Sequence, residues 1–320
     1  MIQANSGCVM GFDTSAYTAS VALVAKNEVI FEGREVIKVP PTRRGVRPSD
    51  AVFAHVQNLP KLIEGMMHHS RGHQVRGICV SAKPRPDPHS YLPPFTVGVS
   101  FAKSLASVYQ VPLMLSTHQE GHIQAALWSI HHEEWEKFSA LHISGGTTEL
   151  LQVHRNNVGG LDIQTIAATD DLYAGQLVDR IGVLLDLPFP SGPYLQDLAR
   201  NSVHPVVLTI PKVWYDGSRW RTSFSGPEAQ ARRAWNEGAK KEDLARGVEL
   251  ILAHALARLI EKAKPLWPLV VVGGVAANET LRSQLPLFLP SPQDVYFASP
   301  ELSRDNAVGI ARLGYSVLME

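Results

Sequence analysis

Short apolar runs broken by polar turns open the chain. Val9 to Asp13, Ala19 to Lys26 and Glu28 to Ile37 read as three successive strands, the last two joined at a Lys26-Asn27 turn. The succession returns further on. Ala140 to Ser144 leads through Gly145-Gly146-Thr147-Thr148 into Glu149 to His154, and past Asn156-Asn157 into Leu161 to Ala168. Each copy is an apolar strand ending in a small polar turn and followed by a hairpin, which reads as an internal duplication.

Helical periodicity fills the space between and after the copies. It predicts helices over Asp50 to His68, Gly98 to Tyr109, Asp171 to Leu185, Asp243 to Lys264 and Asp305 to Leu318, with a further helix opening at Gly273-Gly274-Val275. A buried strand is predicted at Gly77 to Ser81, a short apolar piece at Val111 to Leu115, an apolar strand at Leu269 to Val272, a proline-loaded loop at Lys83 to Pro94, and an irregular stretch at Leu187 to Pro227. Alternating strands and helices in both halves predict two α/β lobes with partly parallel sheets. Residues 1–130 are assigned to the first lobe and 131–320 to the second, with an irregular insertion near 187–243 and a ligand cleft between the lobes.

Composition narrows the function classes. The 320 residues are 45% hydrophobic and carry 30 basic against 30 acidic side chains, so no global field draws the chain to nucleic acid or to a membrane. Two local basic clusters, Arg43, Arg44 and Arg47, and Arg232 and Arg233 with Lys240 and Lys241, read as solvated surface. Met1 to Gly7 has no signal-peptide pattern, and no apolar run reaches the ~20 residues of a membrane span. A cytoplasmic protein without a membrane partner is expected. Cys8 and Cys79 each lie inside a strand-like run and read as inert core thiols.

Two turns have the make-up of phosphate cradles. Ser144-Gly145-Gly146-Thr147-Thr148 ends a strand with two glycines, so backbone amides can approach an anion with no side chain in the way. Gly273-Gly274-Val275-Ala276-Ala277-Asn278 follows an apolar strand and is read as a helix N-terminus. Each alone is equally a tight-packing turn; together they point to a nucleotide. His118-Gln119-Glu120-Gly121-His122 puts two histidines four apart, stacked if helical, which is metal-ligand spacing. Gln119 excludes the metalloprotease signature. A carboxylate from elsewhere would complete a two-histidine, one-carboxylate site suited to iron or zinc, and Asp305 is a candidate whose plain alternative is a helix N-cap. Asp13 and Asp179 fit either a nucleotide and metal role or a capping one. His68, His69, His73, His131 and His132 read as surface.

In order along nearly the whole chain, these motifs resemble the tRNA threonylcarbamoyladenosine synthase family, TsaD. His118 to His122 looks like its metal helix, and His142-Ile143-Ser144-Gly145-Gly146 its phosphate strand and turn. Ala174-Gly175-Gln176-Leu177-Val178-Asp179 through Pro190-Ser191-Gly192-Pro193 looks like its ribose and base segment, with Asp179 and Gly192 at binding positions. Ser223-Phe224-Ser225-Gly226, Gly273 to Asn278 and Arg304-Asp305-Asn306-Ala307 resemble the remaining blocks.

The resemblance implies the two-lobed fold of actin, sugar kinases and heat-shock ATPases, and the transfer of a threonylcarbamoyl group from its adenylate to the anticodon-adjacent adenosine of tRNA. It implies one iron or zinc on His118, His122 and Asp305, with His142 as a fourth ligand. It implies an adenine nucleotide, threonylcarbamoyl-adenylate or ATP, against His142, Ile143, Ser144, Gly145, Gly146, Asp179, Gly192 and Asn278, and other threonylcarbamoylation proteins as partners. Asp13 and Ser15 of the first turn are its catalytic candidates.

The sequence departs from the family near the chemistry. The first turn reads Asp13-Thr14-Ser15-Ala16-Tyr17-Thr18, without the family's cysteine and acidic residue; Thr147 replaces a histidine of the bacterial members; and Lys83 to His89 is a bulkier, proline-stiffened loop. The expectation is an acyltransferase of this type. The alternatives are a non-catalytic nucleotide- and metal-binding paralogue that regulates or scaffolds a true synthase, and a small-molecule carbamoyltransferase.

Overall fold

The computed structural model describes residues 7–38, 46–70 and 72–319. In chain order they form β1 (Gly7–Thr14), β2 (Thr18–Ala25), β3 (Glu28–Val36), α1 (Pro48–His69), β4 (Gln74–Lys83), α2 (Phe95–Tyr109), β5 (Leu113–Thr117) and α3 (His118–Ser129). Next come β6 (Lys137–Ile143), β7 (Thr148–Arg155), β8 (Leu161–Thr169), α4 (Ala174–Leu184), α5 (Gly192–Ala199), β9 (Trp214–Tyr215), β10 (Trp220–Thr222), α6 (Ser225–Asn236) and α7 (Lys241–Ala263). The chain ends with β11 (Leu269–Val272), α8 (Glu279–Gln284), β12 (Val295–Phe297), α9 (Pro300–Ser303) and α10 (Val308–Met319).

Two sheets carry the duplication predicted from the sequence. One has the order β3-β2-β1-β4-β5; the other, β12-β11-β6-β7-β8-β10-β9, contains the same order as β8-β7-β6-β11-β12. In each, the strand that opens the copy pairs antiparallel with the next strand and parallel with the later one (β1 with β2 and β4, β6 with β7 and β11). This is the mixed α/β architecture of the actin, sugar kinase and heat-shock ATPase type.

Contacts divide the chain into two compact units, residues 1–135, 155–162 and 301–320 in the first, 136–154 and 163–300 in the second. Helix α10, which the sequence assignment puts with residues 131–320, therefore belongs to the first unit. In that unit alternate residues of β1 serve opposite faces. Cys8, Met10 and Phe12 pack with Leu59 and Met66 of α1 and Val97 of α2, while Val9 packs with Val308, Ile310 and Ala311 of α10. Strands buried on both faces read as continuous apolar runs, which is why β1 is visible in the sequence. Cys8 and Cys79 are buried free thiols, and burial pushes the Cys8 thiol up to about 11. In the second unit, Leu141, Leu150 and Ala167 of the sheet pack with α4 and with the apolar face of α7.

Several elements differ from the sequence expectation. The stretch 187–227 holds α5, the β9-β10 pair and the start of α6, elements too short for a periodicity signal. Gly274–Ala277 is a 3₁₀ turn, and the helix that follows opens only at Glu279, capped by the Asn278 side chain. The last helix begins at Val308 rather than Asp305, because the Asn306 carboxamide accepts from the Val308 and Gly309 amides and takes the capping role.

Of the basic clusters, Arg43 and Arg44 lie outside the described residues. Arg232 is paired with Glu228, and Lys241 donates to the Leu185 carbonyl. No helix among the described residues is long and apolar enough to cross a membrane.

Candidate functional site

In the first unit the metal-type residues converge. Thr117, the last residue of β5, caps α3: its hydroxyl accepts from the Glu120 amide (3.2 Å) while the Glu120 carboxylate accepts from the Thr117 amide (2.8 Å). That reciprocal cap fixes the helix start at His118 and occupies Glu120, so His118 and His122 stand one turn apart on one face. Their Nε2 atoms are 3.1 Å apart, and Asp305 Oδ1 lies 3.5 Å from one and 3.3 Å from the other.

Asp305 reaches this face because α10 lies very close to α3. A Cβ on Gly309 would stand 1.8 Å from the Gly121 carbonyl oxygen and 2.7 Å from the Ala125 amide nitrogen. Only glycine permits that approach.

A second set of groups orients the first. Both carboxylate oxygens of Asp13, at the end of β1, are 3.0 Å from His118 Nδ1, and Ser81 at the end of β4 donates to the same carboxylate. Ser15 donates to Asp305 Oδ2 at 2.5 Å, and the Ser15 carbonyl lies 2.7 Å from Nε2 of the buried His55 of α1. Asp13 and Ser15, expected to be catalytic, thus hydrogen-bond to the histidine and the carboxylate of this cluster. Ser81 and His55 are not marked in the sequence; a serine and a histidine inside buried elements carry no spacing signal.

Electrostatics follow from this packing. Burial by itself would lower the His118 pKa, but the Asp13 and Asp305 carboxylates outweigh it and hold the imidazolium well above the usual histidine value. For Asp305, burial would raise the carboxyl, but His118 and His122 outweigh it and hold it well below the usual carboxylate range.

The donor set fits a metal ion. Among the described residues His118, His122 and Asp305 offer ligand atoms all within 4.8 Å of one another. Zinc–ligand bonds of about 2.0–2.1 Å in tetrahedral geometry require neighbouring ligand atoms about 3.3 Å apart, the size of the triangle seen here. An imidazole whose other nitrogen faces a carboxylate is the usual way a ligating histidine is oriented.

The second unit holds the turn residues. In Ser144–Thr147 the Ser144 amide donates to the Thr147 carbonyl (2.8 Å), and a Cβ on Gly145 or Gly146 would meet nothing within 4 Å. The N-terminus of α4 closes on this turn, with the Gly175 amide donating to the Ser144 carbonyl at 3.1 Å. Gly273, at φ +93°, abuts the Ile143 carbonyl and the ring of the buried His142, and this brings the two glycine turns side by side. Asp179 lies one turn further along α4 and accepts from the Ser191 amide (2.8 Å), fixing the segment before Gly192, beside which a Cβ would again meet nothing. Burial raises the Asp179 carboxyl above its ordinary value, against the Ser191 amide.

Asn278 is engaged at both ends, its carbonyl capping α8 at Leu281 (2.9 Å) and its amide donating to buried Glu249 of α7 (2.6 Å). Thr280 also donates to Glu249, at 2.5 Å. Sequence reasoning misses Glu249, although a carboxylate between Val248 and Ile251 on an apolar helical face is the kind of exception that marks a buried polar contact. The Ser223 to Gly226 segment is pinned by Asp171, which accepts from the Ser223 hydroxyl (2.5 Å) and the Phe224 and Ser225 amides.

The sequence profile of the tRNA N6-adenosine threonylcarbamoyltransferase family, TsaD, matches residues 28–312. The chain belongs to the TsaD family. A TsaD relative from Thermus thermophilus, a tRNA N6-adenosine threonylcarbamoyltransferase, is 31% identical over 95% of this chain and 90% of its own. A relative of the same name from Legionella pneumophila is 31% identical over 96% and 92%. Among solved structures, T. kodakarensis HypF superposes with a TM-score of 0.63 at 15% identity, covering 98% of this chain and 49% of HypF. The Acidaminococcus fermentans (R)-2-hydroxyglutaryl-CoA dehydratase component A gives 0.58 at 15%, covering 98% and 100%. Both likenesses are of fold. TsaD homology gives the general function, an acyltransferase of tRNA modification.

The proline-rich loop between β4 and α2 is tied at both ends to residues that adjoin His118 and Asp13 in the chain. The Pro84 carbonyl accepts from the Gln119 amide (3.0 Å), and the Pro94 carbonyl from the Thr14 hydroxyl (3.0 Å).

Proposed function

We propose that this chain is a tRNA N6-adenosine threonylcarbamoyltransferase that holds one iron or zinc ion on His118, His122 and Asp305 and the adenylate of its acyl donor on the turns at 144–147 and 273–278. The observation that carries the reading is the triangle of ligand atoms with edges of 3.1–3.5 Å, backed by Asp13 on the far nitrogen of His118. A metal bound there supplies Lewis-acid polarisation of a donor oxygen.

The chain's own groups supply positioning. Asp13 fixes the His118 tautomer, and Ser15 holds the Asp305 carboxylate from behind. Gly145, Gly146 and Gly274 offer backbone approach to phosphate with no side chain to displace it. Asp179 shapes the Ser191-Gly192 segment for the ribose and base. His142 is assigned by resemblance both to the nucleotide and to the metal; its ring lies against Gly273, which favours the nucleotide turn. In the reaction, the adenosine N6 amine attacks the carbamoyl carbonyl, the new C–N bond forms, the C–O bond to phosphate breaks, AMP leaves and the N6 proton passes to solvent. An already activated mixed anhydride needs orientation of a weak nucleophile more than it needs a strong base.

The test is modified-nucleoside analysis of tRNA incubated with the protein, threonylcarbamoyl-adenylate and the other proteins of threonylcarbamoylation. Metal content and nucleotide binding are measured on the same preparation. Threonylcarbamoyladenosine formation, lost in His118→Ala/His122→Ala together with the metal, is the expected result. Metal and adenylate bound without any modified nucleoside would instead make the chain a non-catalytic partner.

A further inference from the structure

One face of the second unit brings several basic side chains together beside a groove. On the exposed face of α7, His254, Arg258 and Lys262 repeat at four-residue spacing and line a groove of about 380 Å³ together with Phe288 and Ile210. Phe288 is 45% exposed, and its ring packs edge-on against His254 with centroids 4.3 Å apart. The groove continues past Ile210 into a second hollow of about 300 Å³, where Lys212 and the exposed indole of Trp214 stand beside Ser223 and Gly226.

We propose that this groove is a nucleic-acid contact, seating a single-stranded stretch of the tRNA away from the modified adenosine. The inference rests on the tRNA reading and adds the surface that reading lacks. Charge is the first argument. Arg258, Lys262 and Lys212 face one carboxylate, Glu261, in a chain whose formal net charge is zero, and neither Arg258 nor Lys262 forms an ion pair among the described residues. Cations spaced one helical turn apart beside an open trough suit a phosphate backbone.

The aromatic groups are the second argument. Half-exposed Phe288 in the groove and Trp214 in the adjoining hollow offer faces and edges, and aromatic side chains interleaved with cations are how unpaired bases are stacked without sequence readout. An acidic protein segment would satisfy the charges but would leave the two aromatic groups without stacking partners.

The experiment measures binding of unmodified tRNA to the full chain across a salt series, for wild type, Arg258→Ala/Lys262→Ala, Phe288→Ala and Glu261→Lys. All of these positions are on the surface, and circular dichroism and nucleotide affinity check each fold. Loss of the two cations should lower the slope of log affinity against log salt by about 1.4–2. Phe288→Ala should weaken binding about tenfold with the slope unchanged, and Glu261→Lys should tighten it. Wild-type binding that none of the variants alters would overturn the groove while leaving the transferase reading intact. Weakened capture of an acidic polypeptide with unchanged tRNA affinity would replace the RNA with a protein. A wild-type chain that neither binds nor modifies tRNA would refute the transferase reading itself, and the groove with it.

Discussion

Replacing Gly309 by alanine adds a single methyl group at a residue that offers no ligand, yet it should empty the metal site. The new Cβ would stand 1.8 Å from the Gly121 carbonyl oxygen and 2.7 Å from the Ala125 amide nitrogen. Both are backbone atoms of the helix that carries His118 and His122, so no side-chain rotation relieves the clash. Reaching even a tight contact requires α10 and α3 to part by about 1.2 Å, in an interior packed at crystal-like density. Overpacking of this kind costs about 1–3 kcal/mol, or roughly 2–12 °C in melting temperature for a unit of this size.

The functional effect should be larger than the thermal one. Asp305 sits four residues before Gly309, and metal ligands tolerate only about 0.2 Å of displacement. A parting of about 1.2 Å would break the triangle of ligand atoms. Elemental analysis after loading with iron or zinc, done at about 15 °C where circular dichroism shows the variant folded, is the assay. Gly226→Ala is the control, because its Cβ would meet nothing within 4 Å. Gly309→Ala that binds a full equivalent of metal and melts with the wild type would show that helix proximity does not position Asp305.

Asp13→Asn keeps the shape but weakens the hold on His118, and metal affinity should fall about 10- to 100-fold by competition titration with a chelator. The metal-free protein should lose stability at both ends of the pH range. His118 is raised in the fold, so its contribution is complete below the unfolded histidine value near 6.5 and fades as pH climbs through the folded one; Asp305 is lowered, so its contribution is complete above its ordinary value and fades as pH falls through the folded one. Thermal melts from about pH 2 to about pH 10 read both limbs, and a flat alkaline limb would contradict the His118 assignment. Metal uptake must displace the His118 proton, so apparent affinity in the same protein should rise by up to about tenfold per pH unit from neutrality, by calorimetry. Glu249→Ala leaves the Asn278 amide and the Thr280 hydroxyl without their buried acceptor, which should cost about 1–3 kcal/mol and weaken adenine-nucleotide binding through the Gly273 turn; unchanged calorimetry would free the turn from α7.

Some of this protein is written in local pattern. Strands β1 and β6 are buried on both faces, so their apolar runs stand out without any partner being known, and the repeated strand, turn and hairpin mark the duplication before any sheet is seen. The histidine pair at 118 and 122 is legible because helical spacing alone puts two side chains on one face. Glycine turns after β6 and β11 are legible because a side chain there would obstruct an anion.

What the tertiary structure decided is what distant segments do to one another. Periodicity carries no record of which helix lies on which sheet, so α10 looks like part of the second lobe when its apolar face in fact covers β1 and β4. Asp305 could be a cap or a ligand on spacing alone; the Asn306 cap and the closeness of Gly309 to Gly121 set it facing the histidines. Asp13 and Ser15 are recognisable as polar ends of a strand, but their work of holding His118 and Asp305 spans up to 290 positions of sequence, and only the fold closes that distance.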